Sequence, residues 1–478
     1  MLPIVQIPQL IEHYAPYFED LFLPHKYEEF KRYVSGLIIS ENKTVEGINR
    51  HFVIQTKDQS TLNRFLTDST YTAVGLNQRR LDFLQSKSTT GFKPTGKIRG
   101  VLGIDDTLLT HYGKHFDDIS RLKDPHSRVV NWSHNLVSLY YSDDRLDYPV
   151  YQKLWQPPDI EKLVAKMDDL SIILNEEKRK EKDQQVKAWR DYILHYQYRR
   201  KQKKYPELVE IYKTKLWLAR DLVDQFIEQY PDIKLPFCFD RWYTKPMLCE
   251  HIASRNRIYV GRLESKSIIE IQGKEKMTVI DFAKQLKQEH LKNKTKPKFH
   301  KVGVKWRGKT TQYYAYCKTH TLTAFGKVRL VISYKKEDLS DETPYLIICN
   351  QHTWRAAGIL SVYRRRWPVE VFYEEAKAEG LNKYQIRQQE AIHKHIALIS
   401  IVYSLLHAAR YDQDLLSKLQ QQLHQPIARL MEGSVAYWRR IVKAQTFLNL
   451  ADWLSNKDAS KDDWKTLILP IVEIMAYQ

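Results

Sequence analysis

Three stretches of the sequence carry acids where phosphate chemistry would need them. In VLGIDDT an apolar run leads directly into Asp105, Asp106 and Thr107, and in LPFCFDRWY another leads into Asp240, so these acids are expected at strand ends. The third stretch, YRRRWPVEVFYEEAK, sets Tyr363, Arg366, Glu370 and Lys377 at relative positions 0, 3, 7 and 14. At about 100° per residue these four fall within about 60° of one another on one helix face. Pro368 lies inside that span. It either distorts a continuous helix or begins a new one, and in the second case Glu370 enters the first turn and the face argument holds from Glu370 onward.

Carboxylates from three separate elements suit phosphodiester hydrolysis by two Mg²⁺ ions about 3.5–4 Å apart, one activating the nucleophile and one stabilising the leaving oxygen. Arg366 and Lys377 would neutralise acidic surroundings and hold a DNA phosphate, the arginine through its planar fork and the lysine as a point charge. Tyr363 would orient that phosphate or stack on a sugar or base. Taken singly, each acid has a plainer role: Asp240 as a turn cap, Glu370 as an ordinary helix acid, with Glu374 on the same face. His393, His395 and His407 fall in a helical stretch without zinc-site spacing, and no phosphate-cradling G-x-x-x-x-G-K-[ST] loop is present.

The elements that must position these residues alternate in type. Residues 1–95 read as helices, and the glycine-rich GFKPTGKIRG at Gly91–Gly100 reads as a linker. Val101–Ile104, Val129–Tyr141, Tyr148–Trp155, Leu235–Asp240 and Arg257–Leu263 have strand composition, with a charged helical segment over 175–230 between them. This gives an α/β core over 96–266, a β-rich insertion over 267–340 with a turn at Arg307 and Gly308, a second part of the core over 341–390, and a helical region over 391–478. The apolar run Ile396–Ala409 is 14 residues long, shorter than the ~20 needed to cross a bilayer, and reads as a buried helix.

The chain has 478 residues, 43% hydrophobic and 28% charged, which excludes a disordered or collagen-like polymer. Lys and Arg number 76 against 57 Asp and Glu, a balance that favours a polyanionic partner. The excess is concentrated: Asn175–Tyr205 carries eleven basic and five acidic residues, and Lys284–Lys309 ten and one. Aromatics lie within both, including Phe299 and Trp306 in the second, which suits phosphate contact combined with base stacking. The four cysteines form no C-x-x-C pair and read as reduced structural thiols. With no export signal visible at the N-terminus, a cytoplasmic, nucleoid-associated location and no membrane partner are expected.

The spacing Y-x2-R-x3-E-x6-K, together with the two upstream aspartates in order, resembles DDE transposases of bacterial insertion sequences, the group with a Tyr-Arg-Glu-Lys signature. The resemblance covers roughly Gly100 to Arg387. It implies an RNase H-like core with a β-rich insertion, flanked by helical N- and C-terminal regions. It also implies a metal-binding triad of Asp105, Asp240 and Glu370, with Asp106 the alternative first ligand, and two Mg²⁺ ions that Mn²⁺ can replace. DNA contacts would fall to Tyr363, Arg366 and Lys377, and to Tyr345 or Trp306 as an aromatic entering the opened DNA end. The implied activity is cut-and-paste transposition on double-stranded DNA, in which a homodimer holds two terminal inverted repeats and joins the freed ends to target DNA, with a hairpin as the implied route for the second strand. The alternatives are a nuclease of the same fold that does not join, or an inert DNA-binding derivative.

Overall fold

A computed structural model describes residues 2–54, 56–67, 70–87, 100–125, 127–171, 207–271, 276–293, 295–340 and 343–456. The basic run 175–205, the linker apart from Gly100, and residues 457–478 lie outside the described residues.

The centre of the molecule is a mixed sheet. Four strands come first in the chain: β1 (Val101–His111), β2 (Ser120–Lys123), β3 (Val130–Ser142) and β4 (Asp147–Trp155). Two short ones follow, β5 (Phe237–Phe239) and β6 (Tyr259–Arg262). Across the sheet they lie in the order β4-β3-β1-β5-β6, with β2 beside the start of β3. Strand β3 runs antiparallel to both β1 and β4, whereas β1, β5 and β6 are parallel. This is an RNase H-like α/β core. The sequence folds this way because Phe237, Cys238 and Phe239 are apolar without alternation, as a parallel strand covered on both faces requires.

The sheet then continues. β7 (Ile268–Glu270), β8 (Lys276–Thr278), β9 (His300–Trp306), β10 (Lys309–Leu322), β11 (Gly326–Tyr334) and β12 (Tyr345–Cys349) extend it from β6 through β12, β11 and β10. The β9–β10 turn is where the sequence expects it. Arg307 and Gly308 both have positive φ (45° and 76°), the two-residue geometry whose twist matches that of the flanking strands.

Helices at both ends of the chain wrap this core together. Pro24–Ile39 and Ala73–Ser86 pack against Gln389–Ala408. The Tyr33 hydroxyl lies 2.8 Å from His395 Nδ1, and buried Arg80 donates to the Pro149 carbonyl at 2.6 Å and to the Ser404 hydroxyl at 3.0 Å. Apolar residues of the N-terminal helices and of the sheet belong to one continuous core. The helical span Gln389–Tyr411 is long and apolar enough to cross a membrane, but 94% of its most apolar window is buried inside the protein, as a core helix should be.

Candidate active site

The two aspartates meet through strand register. β1 and β5 pair as Leu102 with Phe237, Gly103 with Cys238 and Ile104 with Phe239. One residue past the last pair on each strand are Asp105 and Asp240, near enough that the charge of Asp240 acts on the Asp105 carboxyl. Asp240 leaves the end of β5 as expected. Asp105 does not end its strand: β1 runs on to His111, paired with β3 throughout, because the partner strand continues to supply hydrogen bonds past the acids.

Asp240 is set by its own backbone. Its Oδ1 accepts the amides of Trp242 (2.9 Å) and Tyr243 (3.1 Å), and its carbonyl accepts the Thr244 hydroxyl at 2.6 Å. Asp105 Oδ1 accepts the amide of Asp106 at 2.9 Å. Asp106, the next residue of a pleated strand, points to the opposite face. There its carboxylate accepts from Asn135 Nδ2 (2.7 Å), Lys215 Nζ (2.8 Å) and the Tyr243 hydroxyl (2.8 Å).

The third stretch folds as two helices, Ala356–Arg364 and Pro368–Ala378, joined by a tight turn through Arg365–Trp367. Pro368 begins the second, where its missing amide hydrogen costs nothing, and Glu370 sits in the first turn. The continuous helix face is therefore replaced by a broken one, yet its residues still converge on β1. Arg366 Nη1 donates to Asp105 Oδ2 at 2.7 Å and its Nη2 to Glu370 Oε1, so one guanidinium fork joins two of the three acids. The Tyr363 ring centre is 5.9 Å from that guanidinium. Lys377 donates to the Thr107 hydroxyl at 2.8 Å, and the Tyr373 hydroxyl to the Asp105 carbonyl at 2.9 Å. Glu374 is exposed.

The electrostatics follow from this crowding. Burial pushes the Asp105 carboxyl up to about 7; Arg366 pulls it back down, while Asp240 and Asp106 add to the rise. Burial opposes the charge of Arg366, but Asp105, Tyr363 and Glu370 outweigh it and hold the guanidinium protonated more firmly than usual. Burial raises the Tyr363 phenol and lowers the Lys377 ammonium. Among the described residues, no group of three or more His, Cys, Asp or Glu side chains is closed into a metal cage as the side chains stand, and the Arg366 fork keeps Asp105 and Glu370 on either side of it. The side chains of Asp105, Asp240 and Glu370 offer only carboxylate oxygens, a chemistry that suits Mg²⁺ or Mn²⁺ and not a softer ion.

The two aromatic candidates lie elsewhere on the sheet. Tyr345 opens β12, half-buried, with Arg262 and Lys335 over its ring at 5.3 and 5.7 Å. The indole of Trp306 donates to the Asp143 carbonyl at 3.3 Å, with Arg307 and Arg364 over its ring at 4.8 and 5.6 Å, so it packs the β9–β10 hairpin against the β3–β4 turn. Phe299 is 3% exposed and cannot stack on a base without leaving the core, whereas Lys284, Lys292, Lys301, Lys305 and Lys309 around it are exposed.

Sequence reasoning missed the residues around Asp240. A cavity of about 470 Å³ beside it is lined by Arg241, Trp242, Arg262 and Lys266, among others. Lys215 lies 4.2 Å from the centre of the Trp242 ring. The available signal was the RWY immediately after Asp240; nothing in the sequence pointed to Lys215 or Asn135.

An RNase H-like sheet with carboxylates on adjacent central strands and a third acid on a following helix defines a class of phosphodiester-processing enzymes. Family models agree: that of the DDE superfamily endonucleases matches residues 17–278, more than half of the chain, and that of the transposase DDE domain matches residues 218–405. The chain belongs to the DDE superfamily. The first match contains Asp105 and Asp240, and the second contains Asp240 and Glu370. No curated protein matches the chain. Membership in this family implies a DNA substrate and divalent-metal-dependent nuclease or transposase activity.

Proposed function

We propose that the protein is a cut-and-paste DNA transposase of the Tyr-Arg-Glu-Lys group whose metal-binding triad is Asp105, Asp240 and Glu370. The observation that carries this reading is the β1–β5 register, which sets Asp105 beside Asp240, with the Arg366 fork tying Asp105 to Glu370. Asp106 is engaged on the far face by three donors, which favours Asp105 as the ligand. Glu370, and not Glu374, meets the Arg366 fork.

Bound by these carboxylates, two Mg²⁺ ions, or Mn²⁺ in their place, would polarise the scissile phosphate and acidify the attacking water. The chain's own groups do the rest. Asp105 and Asp240 are held by strand and turn hydrogen bonds, so their spacing is fixed before DNA arrives. Arg366 and Lys377 offer a fork and a point charge to the phosphate oxygens, and Tyr363 lines the same side. In cleavage, a water oxygen bonds to the scissile phosphorus and the 3′ oxygen of the element leaves. In joining, that 3′ hydroxyl attacks a target phosphorus and displaces the target's own 3′ oxygen, with no covalent protein intermediate. A homodimer would hold the two inverted repeats, with the N-terminal helices and the exposed lysines of the 284–309 segment on the DNA.

A nuclease that cuts without joining is the second reading, favoured by the endonuclease description of the longer family match. A paired-end DNA substrate incubated with the protein and Mg²⁺ separates the two, since only the transposase yields strand-transfer product. Asp240→Asn and Glu370→Gln should each lower cleavage by at least ~10²–10³-fold while leaving DNA binding in place. Full activity in either variant would remove the proposed site.

A further inference from the structure

From the contacts of Asp106 we infer that it is a positioning residue for Asp240, acting across the sheet from the face opposite the candidate metal site. The inference rests on the proposed metal role of Asp240 and adds to it a support that the site's own three acids do not supply.

The connection is short and continuous. Asp106 accepts the Tyr243 hydroxyl at 2.8 Å, and Tyr243, fully buried, sends its backbone amide to Asp240 Oδ1 at 3.1 Å. Asp106 also holds Lys215 at 2.8 Å, and the same ammonium lies 4.2 Å from the centre of the Trp242 ring. Trp242 supplies the second amide on Asp240 Oδ1, at 2.9 Å, and its ring packs edge-on against Tyr243 at 4.7 Å. Both amides that orient the Asp240 carboxylate therefore belong to residues whose side chains are anchored, directly or through Lys215, on Asp106. Asn135 on β3, at 2.7 Å, completes the anchor and ties it to the neighbouring strand.

This arrangement differs from a plain buried ion pair. Three elements besides β1 meet at one carboxylate: β3 through Asn135, the helix Lys215–Gln229 through Lys215, and the loop after β5 through Tyr243. Asp105 and Asp106 are consecutive residues of one strand, so one presents its oxygens to the candidate site while the other fixes the loop that carries the second acid. Outer partners of this kind set ligand orientation, and their loss typically costs about 10–100-fold in metal affinity.

The test is Mn²⁺ binding by the full-length protein without DNA, read by titration calorimetry, with thermal unfolding in EDTA alongside. Asp106→Asn, which removes the charge and one acceptor, should weaken Mn²⁺ binding by about 10–100-fold. Tyr243→Phe deletes a single oxygen, is the variant least at risk of misfolding, and should shift affinity in the same direction by a smaller factor. In the double variant the two losses should not add, because both break one connection. Unchanged Mn²⁺ affinity in Tyr243→Phe, or in a folded Asp106→Asn, would overturn the inference, including where only the unfolding temperature falls. Asp240→Ala serves as the reference: if it binds Mn²⁺ as the wild type does, the metal-site reading fails and this inference with it.

Discussion

The Arg366 fork leads to a prediction whose sign is unusual for an active-site substitution: Arg366→Met should make the protein bind Mn²⁺ more tightly. The guanidinium joins Asp105, whose side chain is 18% exposed, to Glu370, which is 35% exposed. At ~4 Å and an effective dielectric of ~20, each contact carries about 4 kcal/mol of Coulomb attraction before desolvation. Deleting one partner of a buried pair costs about 3–5 kcal/mol, and an exposed pair is worth at most ~1 kcal/mol, so the Asp105 side dominates. Protonation limits the loss. The Asp105 carboxyl stands near 7 even with Arg366 beside it, so without that counter-charge it rises further and takes up a proton at neutral pH. In EDTA, Arg366→Met should therefore be less stable by about 2–4 kcal/mol.

Divalent ions narrow the gap. In the wild type an incoming cation competes with the guanidinium for the same two carboxylates and is repelled by its charge. At a pH high enough to keep Asp105 ionised in the variant, Arg366→Met carries neither penalty, so the Mn²⁺ series is run there; at neutral pH the proton on Asp105 competes with the metal and reduces the gain. Mn²⁺ at 100 times its dissociation constant stabilises a protein by about 2.7 kcal/mol, so an affinity gain of about tenfold adds about 1.4 kcal/mol to that response. The assay is thermal unfolding in EDTA and across a Mn²⁺ series for both proteins, with DNA cleavage measured separately. Cleavage should fall, because the fork that would grip the phosphate is gone. Equal stability of the two proteins in EDTA, or a Mn²⁺ response in the variant no larger than in the wild type, would refute the reasoning.

Two further predictions concern the scaffold. Burial lowers His395 to about 4 and, with Arg410 and Arg307 adding to it, lowers His407 to about 3. Both folded values lie below the ordinary ~6.5, so the unfolded chain binds protons first, and the stability from the neutral rings is present above pH 6.5 and lost as pH falls toward 4. Urea midpoints should fall between pH 7 and 5 by the equivalent of about 2 kcal/mol per histidine, and His395→Asn should flatten part of that slope; an unchanged slope would contradict the assignment. The second prediction is that Arg307→Ala will destabilise the protein by about 2 kcal/mol in urea unfolding, because it strips buried Asp147 of its cation at the tip of the β9–β10 hairpin; the figure is set below the usual buried-pair cost because Arg307 is 35% exposed. Retention of wild-type stability would mean that the Tyr140 and Tyr403 hydroxyls satisfy Asp147 on their own.

How much of this was legible in the sequence depended on whether a residue's role is local. The apolar runs that became β5 and β6 and the Arg307–Gly308 turn are short-range patterns that appear as read, whereas β1 continues to His111 past the acids, and Pro368 begins a helix, one of the two outcomes its position allowed. β2 and the helix Val279–Lys292 were missed: the first is only four residues with Leu122 its single apolar side chain, and the second lies in a stretch whose surroundings are all strands. The acids divide along the same line. Asp105, Asp240 and Glu370 could be picked out because each follows a recognisable element boundary or spacing. The sequence favours Asp105, which directly follows the apolar run, but keeps Asp106, one residue further on, as its rival. The proposed preference for Asp105 gains its support from the face that the partners of Asp106 occupy, and Asn135, Lys215 and Tyr243 lie 29, 109 and 137 residues away from Asp106. A strand must choose a face for each side chain, but only the assembled sheet shows that the far face is filled by donors. Adjacent acids on a central strand therefore separate into one that faces Arg366 and one held by three donors on the far face, and those three long-range hydrogen bonds, not the local sequence, support the proposal of Asp105 as the ligand.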